Sequence, residues 1–300
     1  MAAVRGTQHE PFIGPVAAPE LSVMTLNVRR PVPHLRRTHP DRWEVRKPVL
    51  GALLESERPT VLGVQEAMPE QGAFVADVLG HGYRSALVGR GRRGDGEACG
   101  ILVDSERLEL VEERRWALSS TPDVPGSRSW GNALPRIAVG AVLRDRHVGS
   151  RFLVVVTHLD HLSARSRLAS ARMLRSIVVD FDGPAIVMGD GNTDVGTPPY
   201  RELVSHPGRL PQGAAAAAPL VDTWDVAAER VGERWGTYSR YRAPVRGGRR
   251  IDWLLATPDW RVARVGVNPF RRGGLAPSDH DAVQAVLRPP VPDAGSAYAP

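Results

Sequence analysis

The sequence predicts a mixed α and β fold built on two packed β-sheets. Ten short apolar runs alternate with a few amphipathic helical stretches, and no repeat of 20 to 50 residues runs through the 300-residue chain. Ten strands with so few helices exceed the about 4–6 strands that a single sheet usually holds, so two sheets fit better.

Taken in order, strands are expected at 21–27, 61–65, 84–89, 98–104, 108–117, 136–143, 151–157, 184–189, 251–256 and 282–287, each short and bounded by turn residues. A helix is expected over 41–57, where Pro48 must kink it or mark a late start. A second covers 69–79, with Phe74, Val75, Val78 and Leu79 on one face. The third starts from Ser163 as N-cap: Leu168, Ala171, Leu174, Ile177 and Val178 recur at helical spacing while the arginines between Arg165 and Arg175 stay mostly outward.

With 42% hydrophobic residues the chain can bury one large core, and a single domain over 21–288 is expected. The ends, 1–20 and 289–300, are rich in Pro, Gly and Ala and read as loosely held tails, and the alanine run 214–218 reads as a surface loop. Cys99 is the single cysteine, so no intramolecular disulfide is available. The first twenty residues contain Arg5, His9 and Glu10 and no apolar stretch of signal-peptide length, and the run Phe152-Leu-Val-Val-Val156 falls far short of the ~20 residues that span a bilayer. A cytoplasmic monomer without stable membrane insertion is therefore expected. A formal net charge of +6 draws the chain toward polyanions, nucleic acid among them, although the arginine excess over the lone Lys47 also fits a compositional bias.

The chemical signal lies at the ends of the apolar runs. Leu21 to Leu26 stops at Asn27, Val61 to Val64 at Gln65-Glu66, Phe152 to Val156 at Thr157-His158, and Ala185 to Met188 at Gly189-Asp190-Gly191-Asn192. Ser278-Asp279-His280 precedes the last strand, and Asp252 sits inside the apolar run Ile251 to Leu255. A carboxylate after one strand is usually a turn residue, but six such placements, one inside an apolar segment, imply a partner for buried charge. Oxygen ligands without thiolate suit Mg²⁺ or Mn²⁺. The run His158-Leu159-Asp160-His161 resembles part of a zinc hydrolase signature, but Val156 stands where the upstream histidine is needed.

The ordered set Thr25-Leu26-Asn27, Gln65-Glu66, Thr157-His158-Leu159, Gly189-Asp190-Gly191-Asn192, Ile251-Asp252-Trp253 and Ser278-Asp279-His280 resembles the endonuclease/exonuclease/phosphatase family, the deoxyribonuclease I-like fold, over residues 21 to 287. The resemblance implies an α+β four-layer αββα sandwich, two mixed β-sheets packed face to face with helices outside. It implies a Mg²⁺- or Mn²⁺-dependent phosphoesterase in which Glu66, Asn27 and Asp279 border the metal. Asp190 and Asn192 would orient the attacking water, with Asn192 also holding a phosphate oxygen. His280 would be the catalytic histidine with Asp252 as its carboxylate partner, and His158 would donate to a non-bridging phosphate oxygen. Glu97 is placed like the partner of His158, with an exposed turn glutamate as the alternative. Arg136, at the start of a strand, can bind phosphate through its planar fork or serve only as a surface charge. Asp222 and Thr237-Tyr238 resemble secondary positions near the cleft. Gly191 departs from the pattern, since the family usually carries a bulky apolar residue there, and predicts a more flexible loop with a less well-placed water.

These motifs do not choose a substrate. Loops 90–97, 119–132 and 240–250 should. The last, Arg240-Tyr241-Arg242 to Arg249-Arg250, interleaves tyrosine with arginine and can grip a nucleic-acid backbone, which favours phosphodiester cleavage, or it is a solvated basic loop. A phosphomonoester of a small metabolite or sugar is the alternative, ahead of a lipid phosphodiester, for which no exposed apolar docking hairpin is evident. A silent binding module should have lost His280, Asp190 or Glu66, and all three stand.

Overall fold

The computed structural model describes residues 10–181, 183–204 and 219–290. In chain order the elements are β1 (Leu21–Asn27), α1 (Trp43–Glu57), β2 (Val61–Ala67), α2 (Pro69–Leu79), β3 (Tyr83–Gly89), β4 (Ala98–Asp104), β5 (Leu108–Ala117), β6 (Ile137–Asp145), β7 (Arg151–His158), α3 (Ala164–Val179), β8 (Ala185–Asp190), α4 (Pro198–Leu203), β9 (Val221–Asp222), α5 (Thr223–Val226), β10 (Glu229–Val231), β11 (Asp252–Ala256), β12 (Arg261–Asn268) and β13 (Ala282–Arg288). They form a seven-stranded sheet, β10-β12-β13-β1-β2-β4-β3, and a six-stranded sheet, β5-β6-β7-β8-β11-β9, both mixed.

Burial explains why so many runs are apolar throughout. Val154 and Val156 of β7 face the core between the sheets with Val139, Met188, Leu254 and Val283, whereas Leu153 and Val155 join Leu174, Val187 and Leu255 under α3. Both faces of the strand are covered, so simple alternation with polar residues disappears. On the far side, Leu26, Leu62 and Leu102 pack with Leu50, Leu54 and Val75 of α1 and α2, which completes four layers. Ser163 caps α3 as expected, its Oγ accepting from Ser166 N at 3.1 Å.

Several expectations change. Helix α1 starts at Trp43 and runs through Pro48 to Glu57, because a proline this close to the first turn removes only one intrahelical bond. Strand β12 escaped sequence reading: Arg261 and Arg264 interrupt its apolar pattern, and its register with β13 shifts between Val262 and Arg264. The tail expected over 1–20 is anchored from Phe12 onward: the amides of Phe12, Ile13 and Gly14 all donate to the Glu57 carboxylate, which also accepts from Asn268 and Gln284. Five donors satisfy a buried carboxylate without a cation. At the other end Pro290 C=O accepts from Ser150 Oγ at 2.5 Å. Residues 1–9, the alanine run 214–218 and residues 291–300 lie outside the described residues. No helix among the described residues is long and apolar enough to cross a membrane.

Candidate active site

Strand register assembles the site. His158 of β7 pairs with Asp190 of β8, and Asp190 pairs in turn with Asp252 of β11, so three candidate site residues stand abreast across neighbouring strands at one end of the sandwich. Asn27 reaches them from the opposite sheet, its Nδ2 donating to Asp190 Oδ2 at 3.0 Å and to Glu66 Oε1 at 2.9 Å. Glu66 sits where β2 bulges against β4, between Val64 and Ala67, with φ +60°, and Asn192 has φ +50°. Left-handed backbone at non-glycine residues is costly and concentrates at functional sites. Gly189 has φ +136°, and a Cβ there would lie 2.0 Å from Thr157 C=O, so only glycine lets β8 deliver Asp190 beside β7.

Asp190 is the hub. Its Oδ2 lies 3.5 Å from His158 Nε2 and 3.8 Å from His280 Nε2, while its Oδ1 accepts from Asn192 N at 2.8 Å. His280 Nδ1 donates to Asp252 Oδ2 at 2.9 Å, and Asp252 and Ile251 amides donate to Thr237 Oγ1, which fixes the segment that carries the carboxylate. The two histidines are driven apart. Burial works against a proton on both, but Asp252 and Asp190 outweigh it at His280 and push it up to about 10, whereas burial prevails at His158 and pulls it down to about 4 despite Asp190. Burial raises the Asp190 carboxyl, with Asp252 adding to the rise against the pull of His280. Glu66 also suffers burial, yet nearby His158, the Asn27 amide and the Arg30 N–H hold it well below the usual range; the two hydrogen bonds do so whether or not His158 carries a proton.

Two sets of potential ligand atoms lie within 4.8 Å of one another: Glu66, His158 and Asp190, and Asp190, Asp252 and His280. Asp279 is in neither; its Oδ2 faces Arg29 at 3.8 Å, and burial raises its carboxyl against His280 and Arg29. Asn27 stands as a donor between two carboxylates, and the same amide turned over would offer its oxygen there.

Glu97 differs from expectation. Its Oε1 pairs with Arg90 at 2.7 Å and Arg30 at 3.4 Å rather than with His158, although Glu97 and His158 line one crevice with Glu66, Arg90 and Arg136. Arg136 is buried, not a surface charge: Nε reaches Asp160 at 3.3 Å, Nη2 donates to His161 Nδ1 at 2.7 Å, and Nη1 is buried with no partner among the described residues. The zinc-like run His158 to His161 thus has another use, orienting an arginine.

One residue carried no sequence signal. Arg46 of α1 is fully buried and makes no ion-pair contact among the described residues; it donates to the carbonyls of Val28, Arg29, Asp41 and Pro277 at 2.8 to 3.2 Å, tying the chain just after Asn27 to the chain just before Ser278-Asp279-His280.

Residues 24–280 match the sequence pattern of the Endonuclease/Exonuclease/phosphatase family. The chain belongs to that family. It is a phosphoester-hydrolysing enzyme on the two-sheet scaffold of its relatives. Among solved structures, an endonuclease/exonuclease/phosphatase family protein from Bacteroides thetaiotaomicron superposes with a TM-score of 0.78 at 27% identity, covering 89% of this chain and 94% of the other. A mannosyl-6-phosphatase from the same organism gives 0.77 at 27% identity, covering 89% and 99%. The human Nocturnin catalytic domain shares the fold at a TM-score of 0.64 and 18% identity, covering 90% and 94%. Comparison with curated proteins gives no match.

The family departure at Gly191 has a structural reason. A Cβ at 191 would lie 2.5 Å from Trp253 Cζ2, so the indole on the neighbouring strand leaves no space for a side chain there. Trp253 is buried, edge-on to Tyr200 at 5.4 Å, and donates to Arg250 C=O at 3.3 Å. Gly191 N donates to Ile251 C=O at 2.7 Å and Asn192 Nδ2 to Leu159 C=O at 2.9 Å. The loop is packed and bonded on both sides, which corrects the expectation of a flexible one.

Proposed function

We propose that the enzyme is a divalent-metal-dependent phosphomonoesterase acting on small phosphorylated metabolites. The observation that carries the chemistry is the pair of histidines on either side of Asp190, His158 Nε2 at 3.5 Å and His280 Nε2 at 3.8 Å from its Oδ2. The donor set around Glu66, Asp190 and Asn27 is rich in oxygen and suits Mg²⁺ or Mn²⁺, and the only thiol, Cys99, is buried with its pKa pushed up to about 12. When bound, the ion neutralises phosphate oxygens and stabilises the departing oxygen.

The chain's own groups supply the rest. Asp190, steadied by Asn27 and the Asn192 N–H, takes the proton of the attacking water. His280, kept protonated by Asp252 at neutral pH, sets positive charge beside the phosphoryl group as negative charge grows there. Neutral His158 and the unpartnered Arg136 Nη1 supply N–H donors to non-bridging oxygens. Water oxygen bonds to phosphorus, the phosphorus–oxygen ester bond breaks, and the products are inorganic phosphate and an alcohol.

Two features support a small monoester over nucleic acid. In the basic loop Arg250 is buried on Asp222 and the Tyr241 hydroxyl donates to Asp41, so neither is free to hold a backbone or stack a base, and the exposed Arg246 and Arg249 pair with Glu233 and Asp194 at the surface. A relative at 27% identity is a mannosyl-6-phosphatase. Tyr238 favours the second reading, a nucleic-acid diester: it is 43% exposed, with its ring 4.8 Å from that of His280, where a base can stack.

The test compares wild type with His280→Ala on p-nitrophenyl phosphate, bis-p-nitrophenyl phosphate, DNA and RNA, with Mg²⁺, Mn²⁺, Zn²⁺ or EDTA. Mg²⁺- or Mn²⁺-dependent monoester cleavage lost in the variant is expected. Cleavage that survives the substitution, or that only zinc supports, overturns the reading, and diester preference favours the nucleic-acid alternative.

A further inference from the structure

Resting on the phosphomonoesterase reading, the geometry points to a specificity subsite: we propose that the cavity between the 88–91 and 122–126 segments seats the leaving group, an uncharged polyol of monosaccharide size. The cavity holds about 180 Å³ and shares Arg90, Arg136 and Ile137 with the crevice that contains Glu66 and His158. Neither space is lined by Asp190, Asn192, Asp252 or His280. In-line displacement puts the leaving group opposite the attacking water. With water at Asp190 and Asn192, the departing oxygen therefore points toward the Glu66 side, and the cavity lies along that side.

Size excludes large groups. A volume of about 180 Å³ is below the ~300–1,000 Å³ of pockets that take drug-sized ligands, which suits a monosaccharide or shorter polyol. Charge gives the chemistry. Among the lining residues, the side chains of Arg115 and Asp123 are exposed and make no hydrogen bond or ion pair among the described residues, while Arg90 is committed to Glu97 at 2.7 Å. A carboxylate that accepts from hydroxyls and a guanidinium that donates to them is the donor and acceptor pair that a polyol needs, and Asp123 repels a second anionic group. Gly126, at φ +73°, brings the 122–126 turn against Arg92, since a Cβ there would lie 2.7 Å from Arg92 Cγ. The two loops are thus in contact.

On hydrolysis water oxygen bonds to phosphorus, the ester bond breaks, Asp190 holds the proton of the attacking water, and the departing oxygen takes a proton from solvent to leave as a neutral alcohol beside inorganic phosphate. The experiment measures kcat/KM of the full chain with Mg²⁺ for glucose 6-phosphate, mannose 6-phosphate, glycerol 3-phosphate and p-nitrophenyl phosphate, in wild type, Asp123→Asn and Arg115→Ala. Wild type should prefer at least one polyol phosphate over p-nitrophenyl phosphate. Each variant should lower kcat/KM for that substrate about tenfold more than for p-nitrophenyl phosphate, chiefly through KM, because a hydroxyl partner is lost. Equal falls on both substrates, or none, with hydrolysis intact in wild type, overturn the subsite while leaving the phosphomonoesterase reading standing. Absence of monoester hydrolysis in wild type overturns both.

Discussion

Replacing Gly191 by leucine should damage both stability and turnover, and removing Trp253 should restore part of each. Gly191 is not held by a left-handed φ; what requires glycine is space, because a Cβ would sit 2.5 to 2.7 Å from three atoms of the Trp253 indole. Ordinary carbon contacts lie at about 3.5–4.0 Å, so the loop or the indole must move by about 1 Å. The indole cannot retreat easily, with Tyr200 on its edge and its N–H on Arg250 C=O. Overpacking of this kind costs about 1–3 kcal/mol, and at roughly 2–4 °C per kcal/mol for a chain of this size the melting temperature falls measurably. A displacement of about 1 Å at Asp190 and Asn192 is enough for up to ~100-fold in kcat. Trp253→Ala alone empties a large side-chain volume and should cost about 3–5 kcal/mol. The double variant Gly191→Leu/Trp253→Ala refills that volume from the other side. Its penalty should fall short of the sum of the singles by at least about 1 kcal/mol, and its kcat should exceed that of Gly191→Leu. The assays are thermal or urea unfolding and steady-state kinetics on p-nitrophenyl phosphate at saturating Mg²⁺. Additive penalties, within the ~0.3–0.5 kcal/mol typical of independent sites, would show that the indole is not what excludes a side chain at 191.

Arg46→Met should strip the donors from four loop carbonyls at once, each buried acceptor costing about 1–3 kcal/mol, and should weaken Mg²⁺ affinity as well as lower the melting temperature; retained Mg²⁺ affinity in a folded variant would show that the clamp does not set the site. Asp252→Asn should drop the His280 pKa from about 10 toward or below its ordinary value, followed by NMR of the imidazole with Mg²⁺ absent. Because the folded pKa is raised, the stabilisation from this pair is complete below about pH 6.5 and is lost as pH rises toward 10, so the gap in stability between wild type and Asp252→Asn should narrow over that window; a constant gap contradicts the assignment. His158 has the opposite sign: buried and neutral, with its pKa pulled down to about 4, it should make stability fall as pH drops from about 6.5 to 4, and His158→Asn should flatten that limb of the unfolding profile.

Much of the site was legible in the sequence because function here sits at strand ends. Strands stop at the end of a sheet, so an apolar run followed by Asn27, Glu66, His158 or Asp190 announces both the element and its polar chemistry, and the same runs point to the two-sheet fold. A carboxylate inside an apolar segment showed only that Asp252 needs a partner; the family resemblance named His280, and the two meet at 2.9 Å.

What the tertiary structure decided depends on neighbours that are distant in sequence. Glu97 went to Arg90 and Arg30 instead of His158, Asp279 faced Arg29, and Arg136 was turned inward by Asp160 and His161. Arg46 looked like any other arginine until its carbonyl partners, up to 231 positions away, were in place. Gly191 read as looseness because one-dimensional sequence cannot show that the Trp253 indole leaves no space for a side chain there. Residue type and position in a strand determined which chemistry this protein carries; only packing across strands and sheets decided which side chains share it, because contacts, burial and protonation are set by three-dimensional neighbours.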